Sequence, residues 1–206
     1  MESPSAPRRK TGRPLSFDRD VALEKAMLAF WQSGYETTSI SDLTAAMGVT
    51  APSIYAAFGD KKRLFLEALR RYAGDPADLE GAMNRAPTAR DAVVRMIENA
   101  ATLFTGDATP RGCLLASAAA TGSKDAADVR EAAANERRVI RSIIVNRIER
   151  DIAQGLLPQT TRCEVLADLA LAVTQGMSVL ARDGADRDAL LAVARASMSV
   201  WPDPVG

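Results

Sequence analysis

Residues 39–58 read SISDLTAAMGVTAPSIYAAF, and their spacing constrains the fold more than any other stretch of the chain. Ser39 stands three residues before Asp42, a relative of the capping box that starts helices, and Leu43, Ala46 and Met47 then fall on one face. Gly48 can adopt the positive φ of a tight turn, and Val49 can plug between two helices. Thr50 can cap the second helix, where Pro52 is tolerated because first-turn N–H groups lack intrahelical partners. Ile54 and Phe58, spaced i and i+4, would pin this helix to a core and leave Ala51, Ser53, Tyr55 and Ala56 nearer the outside. Two short helices joined by three residues that include a glycine form a helix-turn-helix.

The surroundings also have helical periods. Apolar residues from Val21 to Phe30 give a broad face over 18–33, closed by Gly34. Asp60 precedes a helix that opens Lys61-Lys62-Arg63 and runs to Tyr72. Three cations in a first turn oppose the helix dipole by a few tenths to ~1 kcal/mol each, so something outside the helix should compensate, and a phosphate backbone would do so. A loop is expected over 74–87. Thr88 with Asp91 begins a helix that stops near Gly106, and RGCLLASAAATGS follows as a short buried apolar piece. A long helix is expected over 125–154, with Arg137, Arg138 and Arg141 as a basic face. Thr161 with Glu164 reads as a capping box opening a helix to Arg182, and a last helix spans 186–200. With aromatics at 5% and no sustained alternation of β-branched residues, the expected fold class is all-α.

Charge divides the chain. Through Tyr72 there are eleven Arg and Lys against eight acids, a net of +3, and the remainder holds fifteen against eighteen, a net of −3. The basic start APRRKTGRP suits a tail that lies along phosphates. The absence of histidine removes His-based zinc sites, Ser-His-Asp triads and Cys-His dyads, and Cys113 and Cys163 form no CxxC. No Gly-rich phosphate loop occurs. The expectation is therefore no enzyme, no cofactor and no metal site. The most apolar run, 165–181, is interrupted by Asp168 and Gln175 and is shorter than the ~20 residues of a membrane span, and no signal-peptide pattern occurs, which points to the cytoplasm.

Residues 12–69, GRPLSFDRDVALEKAMLAFWQSGYETTSISDLTAAMGVTAPSIYAAFGDKKRLFLEAL, resemble the DNA-binding domain of the TetR/AcrR family of bacterial transcriptional regulators. The shared landmarks are F-W-x-x-G-Y, T-T-S-I-S-D-L, the G-V turn, S-I-Y-A-A-F and D-K-K. The resemblance implies a homodimer that binds operator DNA and a small-molecule effector. Its parts would be a basic arm over 1–14, a helix-turn-helix head over 15–60, and a linker, effector-binding and dimerisation region over 61–206. Gly112-Cys113-Leu114-Leu115 looks like a segment of one branch of that family.

Carried over residue by residue, the resemblance assigns phosphate contacts to Thr38, Ser53, Tyr55 and Lys61, and a minor-groove contact to Arg13. Ala51, Pro52 and Ala56 stand where larger polar readers often occur, so hydrogen-bonding readout of the major groove is thinned. Thr50 and Ser53 can still hydrogen-bond a base, and the alanines can pack on thymine methyls. DNA shape then carries much of the specificity. An apolar effector pocket is expected around Met96, Phe104, Cys113 and Met177, although a Met or Phe at helical spacing also fits plain core. Two further readings stay open. Cys113, with Arg111 two residues before it and a helix starting near Gly112, could be a thiol sensor of electrophiles or oxidants. The bare recognition helix also suits a non-specific, architectural DNA-binding protein, against which the acidic second half argues.

Overall fold

The computed structural model describes residues 17–119 and 122–202, and among them it is built of α-helices with no strand. The first is α1 (Arg19–Ser33), whose start is fixed by the Asp18 carboxylate accepting from Asp20 N (2.9 Å) and Val21 N (3.2 Å). Such a cap stabilises a helix by ~1 kcal/mol. Then come α2 (Ile40–Met47), α3 (Ala51–Phe58) and α4 (Lys61–Ala73). The capping box at α2 is complete, with the Asp42 carboxylate accepting from Ser39 N and the Ser39 hydroxyl from Asp42 N. Gly48 turns the chain in the left-handed region at φ 71° and ψ 32°, as its position between the two helices demands.

Helices α1 to α4 close on an aromatic core. Phe30 and Phe65 meet edge to face at 5.0 Å between centroids, and Tyr35 reaches Phe65 at 5.1 Å. Phe30 and Phe65 are fully buried, each worth roughly 1.5–3 kcal/mol of transfer from water. Arg19 lies over the Phe58 ring and pairs with Glu67, which ties the start of α1 to α3 and α4.

The remaining α-helices are α5 (Pro76–Arg85), α6 (Ala89–Thr105), α7 (Leu114–Ala119), α8 (Ala127–Ala153), α9 (Cys163–Arg182) and α10 (Arg187–Ser197), with short 3-10 turns at Lys124–Ala126 and Met198–Val200. Helices α6, α8, α9 and α10 pack together, with α5 and α7 against α8. A buried ion pair holds this arrangement. Arg147 of α8 pairs with Asp151 one turn on and donates to the carbonyls of Met83, Ala86 and Pro87 at 3.1, 3.1 and 3.2 Å. The Asp151 carboxylate also accepts from Ala89 N at the start of α6. Removing one partner of such a pair leaves an uncompensated buried charge.

Three expectations need correction. The stretch 74–87 is helical through its middle, because Asp75 caps α5, Pro76 is pre-set for its first turn, and Leu79 and Met83 share its inner face. Thr161 does not cap α9. Its N–H closes a turn onto Pro158 O, which puts Arg162 at the N-cap, and the Thr161 hydroxyl is buried without a partner. The apolar run reaches twenty residues as α9, long and apolar enough by length and composition to cross a bilayer, yet it packs against α6, α8 and α10.

Candidate nucleic-acid interface and internal cavity

Helix α3 is held from beneath and bare above. Ile54 and Phe58 are buried, Pro52, Tyr55 and Ala56 are exposed, and Ala51 and Ser53 are half-buried. Thr50 stands at the N-cap position but caps no backbone group. Its hydroxyl instead pairs with the Ser53 hydroxyl at 2.9 Å. The first-turn N–H groups of α3 thus have no side-chain partner, which suits a helix start that meets an anion. No long side chain rises from Ala51, Pro52 or Ala56 to hold the helix away from a groove floor.

Lys61 opens α4 three residues after the end of α3 and packs on the segment between α1 and α2. Its ammonium sits 4.7 Å above the Tyr35 ring and donates to Glu36 O at 3.3 Å, and partial burial pulls its pKa below the ordinary lysine value. Its neighbours answer the dipole argument differently from the expectation. Lys62 pairs with Asp128 of α8 at 2.7 Å, which raises the Lys62 pKa and lowers that of Asp128, and Arg63 lies 3.8 Å from the Asp60 carboxylate. The protein itself therefore compensates part of the cationic first turn. Thr38 also departs from the expectation of an outward phosphate contact. It is 1% exposed, and its hydroxyl donates to Gly34 O at 2.6 Å, which closes the turn between α1 and α2. Arg13 lies outside the described residues.

Behind the head, the end of α4 and the second half line a half-open cavity of about 410 Å³. Its wall includes Met96 and Phe104 of α6, Cys113, and Tyr72 at the end of α4. Met177 is absent from it and is fully buried as core. Tyr72 donates its hydroxyl to Cys113 Sγ at 3.3 Å, and its burial, then the neighbouring thiol, pushes its pKa well above that of a free phenol. The short apolar helix starts at Leu114, not Gly112. Arg111 is spent elsewhere, on the carbonyls of Ala181 and Ala185 at the end of α9.

The seam between head and cavity is a set of contacts that no local pattern announces. Trp31 packs edge-on against Tyr72 at 4.8 Å and donates Nε1–H to Gly112 O at 3.0 Å, and its own carbonyl accepts from Arg182 of α9 at 2.9 Å. Gly112, at φ +81°, leaves no room for a side chain: a Cβ there would lie 2.8 Å from Arg182 Nε and 2.9 Å from Ser178 O. On the other flank, the Ser123 side chain, then Ser123 N (2.9 Å) and Gly122 N (3.3 Å), hydrogen-bond the Glu36 carboxylate and lower its pKa. Trp31, Glu36, Arg147 and Asp151 were invisible as site residues. Only the last two left a trace, as an Arg–Asp pair at i and i+4 inside the apolar face of α8.

Comparison with known proteins agrees with this geometry. Residues 22–68 match the family described as "Bacterial regulatory proteins, tetR family", and residues 88–197 match "Tetracyclin repressor-like, C-terminal domain". The HTH-type transcriptional repressor ComR of Escherichia coli (strain K12) is 34% identical over 99% of this chain and 98% of its own. The HTH-type transcriptional repressor BdcR of the same organism is 28% identical over 90% of each. Among solved structures, a cysteine variant of the TetR family transcriptional regulator CifR, complexed with 26-bp double-strand operator DNA, superposes with a TM-score of 0.88. It shares 42% identity, covering 93% of this chain and all of that one.

Proposed function

The chain belongs to the TetR family of bacterial transcriptional regulators, and on that premise we propose that it is a dimeric repressor released from its operator by an apolar effector held in the cavity. It is a sequence-specific DNA-binding regulator and not an enzyme. Such a regulator works where the chromosome is, in the cytoplasm.

One observation carries the coupling: α4 reaches both sites. Lys61 at its start follows the end of α3 by three residues, and Tyr72 near its end is in the cavity wall. Thirteen helical residues span about 20 Å as one rigid rod. A ligand that displaces Tyr72 therefore moves the base on which α3 rests. The effect requires only that the ligand prefer one position of α4 over the other.

Dimerisation falls to α9 and α10. Val165, Ala172, Gly176 and Val179 are exposed on one side of α9, at intervals of seven, four and three residues, with half-buried Leu169 between the first two. That spacing suits a helix seam. Among the small residues of α9, Ala170 and Ala181 are consumed by packing within the chain, whereas Ala172 and Gly176 stay open. Two heads would then have to meet successive major grooves, about 34–36 Å apart. DNA contacts fall to Tyr55, Ser53, Thr50, Lys61 and the bare face of Ala51, Pro52 and Ala56, with Arg13 reaching from the arm.

The test is selection of bound sequences from random DNA, followed by footprinting with the full chain. A short palindrome protected on one face is the expected result, and uniform coating without a shared sequence favours the architectural alternative. A second reading rests on the contact between Tyr72 and Cys113, since alkylation at Sγ would displace the phenol. Release by an electrophile that persists undiminished in Cys113→Ser eliminates that reading.

A further inference from the structure

The cavity has a single ionisable cation in its wall, Arg137, and no acidic residue. Three arginines crowd this part of α8, and two have carboxylate partners: Arg138 with Glu131 at 2.5 Å and Arg141 with Asp168 at 2.6 Å. Among the described residues no carboxylate lies within ion-pairing distance of Arg137. Its Nη1 donates to Leu115 O at 2.9 Å, which fixes the guanidinium at the wall and leaves its other N–H groups uncommitted. The hydroxyls nearby are already engaged, Thr174 with Ala170 O at 2.8 Å and Tyr72 with Cys113. Asn99 and Gln175 add two uncharged amides to the wall, and the remaining lining is aliphatic or aromatic.

We propose that the effector is an apolar molecule bearing one carboxylate, with its hydrocarbon against Leu79, Met96, Leu103, Phe104 and Ile140 and its carboxylate on Arg137. This rests on the reading of the cavity as the effector site. A planar guanidinium with free N–H groups matches a carboxylate with two parallel hydrogen bonds. One positive charge in an otherwise apolar wall sets the ligand's charge at one. A dianion such as a phosphate monoester would bring a second charge for which the wall holds no second cation, and burying it is costly. A neutral ligand of the same shape would leave the Arg137 donors without an anion.

The test uses the full chain on a selected operator fragment, with octanoate and octanamide as probes of matched length, read by fluorescence anisotropy for DNA release and by calorimetry for binding. Octanoate should bind and release DNA at least about tenfold more effectively than octanamide, the advantage of a charge-assisted hydrogen-bond pair. Arg137→Met should abolish that difference while leaving operator affinity intact, and Arg137→Lys should restore part of it. Equal responses to the two probes, a preference that survives Arg137→Met, or no binding of octanoate by the wild type each overturns the carboxylate assignment. Failure of the underlying reading has a different signature: octanoate binding that is undiminished by Ala100→Phe, which fills the cavity.

Discussion

The head and the cavity domain solve the problem of a core in opposite ways. Of the ten aromatic residues in the chain, five Phe, three Tyr and two Trp, eight lie before Ala73. Phe30, Trp31, Phe58 and Phe65 are buried among them, with Phe30, Tyr35 and Phe65 in mutual contact. Beyond Ala73 only Phe104 and Trp201 remain, and the helices there meet through Ala, Leu, Ile and Met around a cavity of about 410 Å³. Rings make the head rigid enough to present α3 in one pose. Small and flexible side chains leave the second half room for a guest.

The contrast breaks most visibly in stability. Phe65→Ala should cost about 3–5 kcal/mol in urea denaturation, because the packed head cannot collapse onto the space. At the DNA face the effects are smaller and separable. Ala56→Arg should change which base is preferred near the middle of each half-site, by about 1–3 kcal/mol in competition binding. Lys61→Ala should weaken all sequences alike and lower the slope of log affinity against log salt by about one. An unchanged slope would remove Lys61 from the phosphate contacts.

In the second half, Ala100→Phe should alter unfolding free energy by less than about 1 kcal/mol, since the added ring enters existing space. A loss as large as that of Phe65→Ala would mean that the two cores are equally full. The smallest effect is expected at the Lys62–Asp128 bridge. Lys62 holds the Asp128 pKa below its ordinary value, so the pair's contribution is present above the usual carboxylate range and fades as pH falls through the lowered pKa. Asp128→Asn should remove that part of the acid sensitivity and shift the melting midpoint slightly, less so at high salt.

What could be read from sequence divides along the same line. The starts of α1, α2, α4, α6 and α10 each carry an Asp, Ser or Thr whose side chain caps a neighbouring N–H, a local signal that needs no partner. Helix α5 escaped because Gly81 and Asn84 dilute its pattern, although Asp75-Pro76 marked its start. Thr161 and Glu164 have the spacing of a capping box, but the turn that Thr161 N closes onto Pro158 O decides where α9 begins. Met96, Phe104 and Cys113 reached the cavity wall and Met177 did not, because helical spacing assigns a face and not what lies opposite it. The reason Trp31 matters lies eighty-one residues away, at Gly112.

That glycine limits how such regulators can be recombined. The head docks through Trp31 onto a backbone carbonyl beside a position where even a methyl group would collide with Arg182 and Ser178. A chimera that joins this head to a foreign sensor would have to import the bare backbone at Gly112 and the arginine that grips the Trp31 carbonyl. Without both, the new partner could recognise its ligand faithfully and still have no means of telling the DNA.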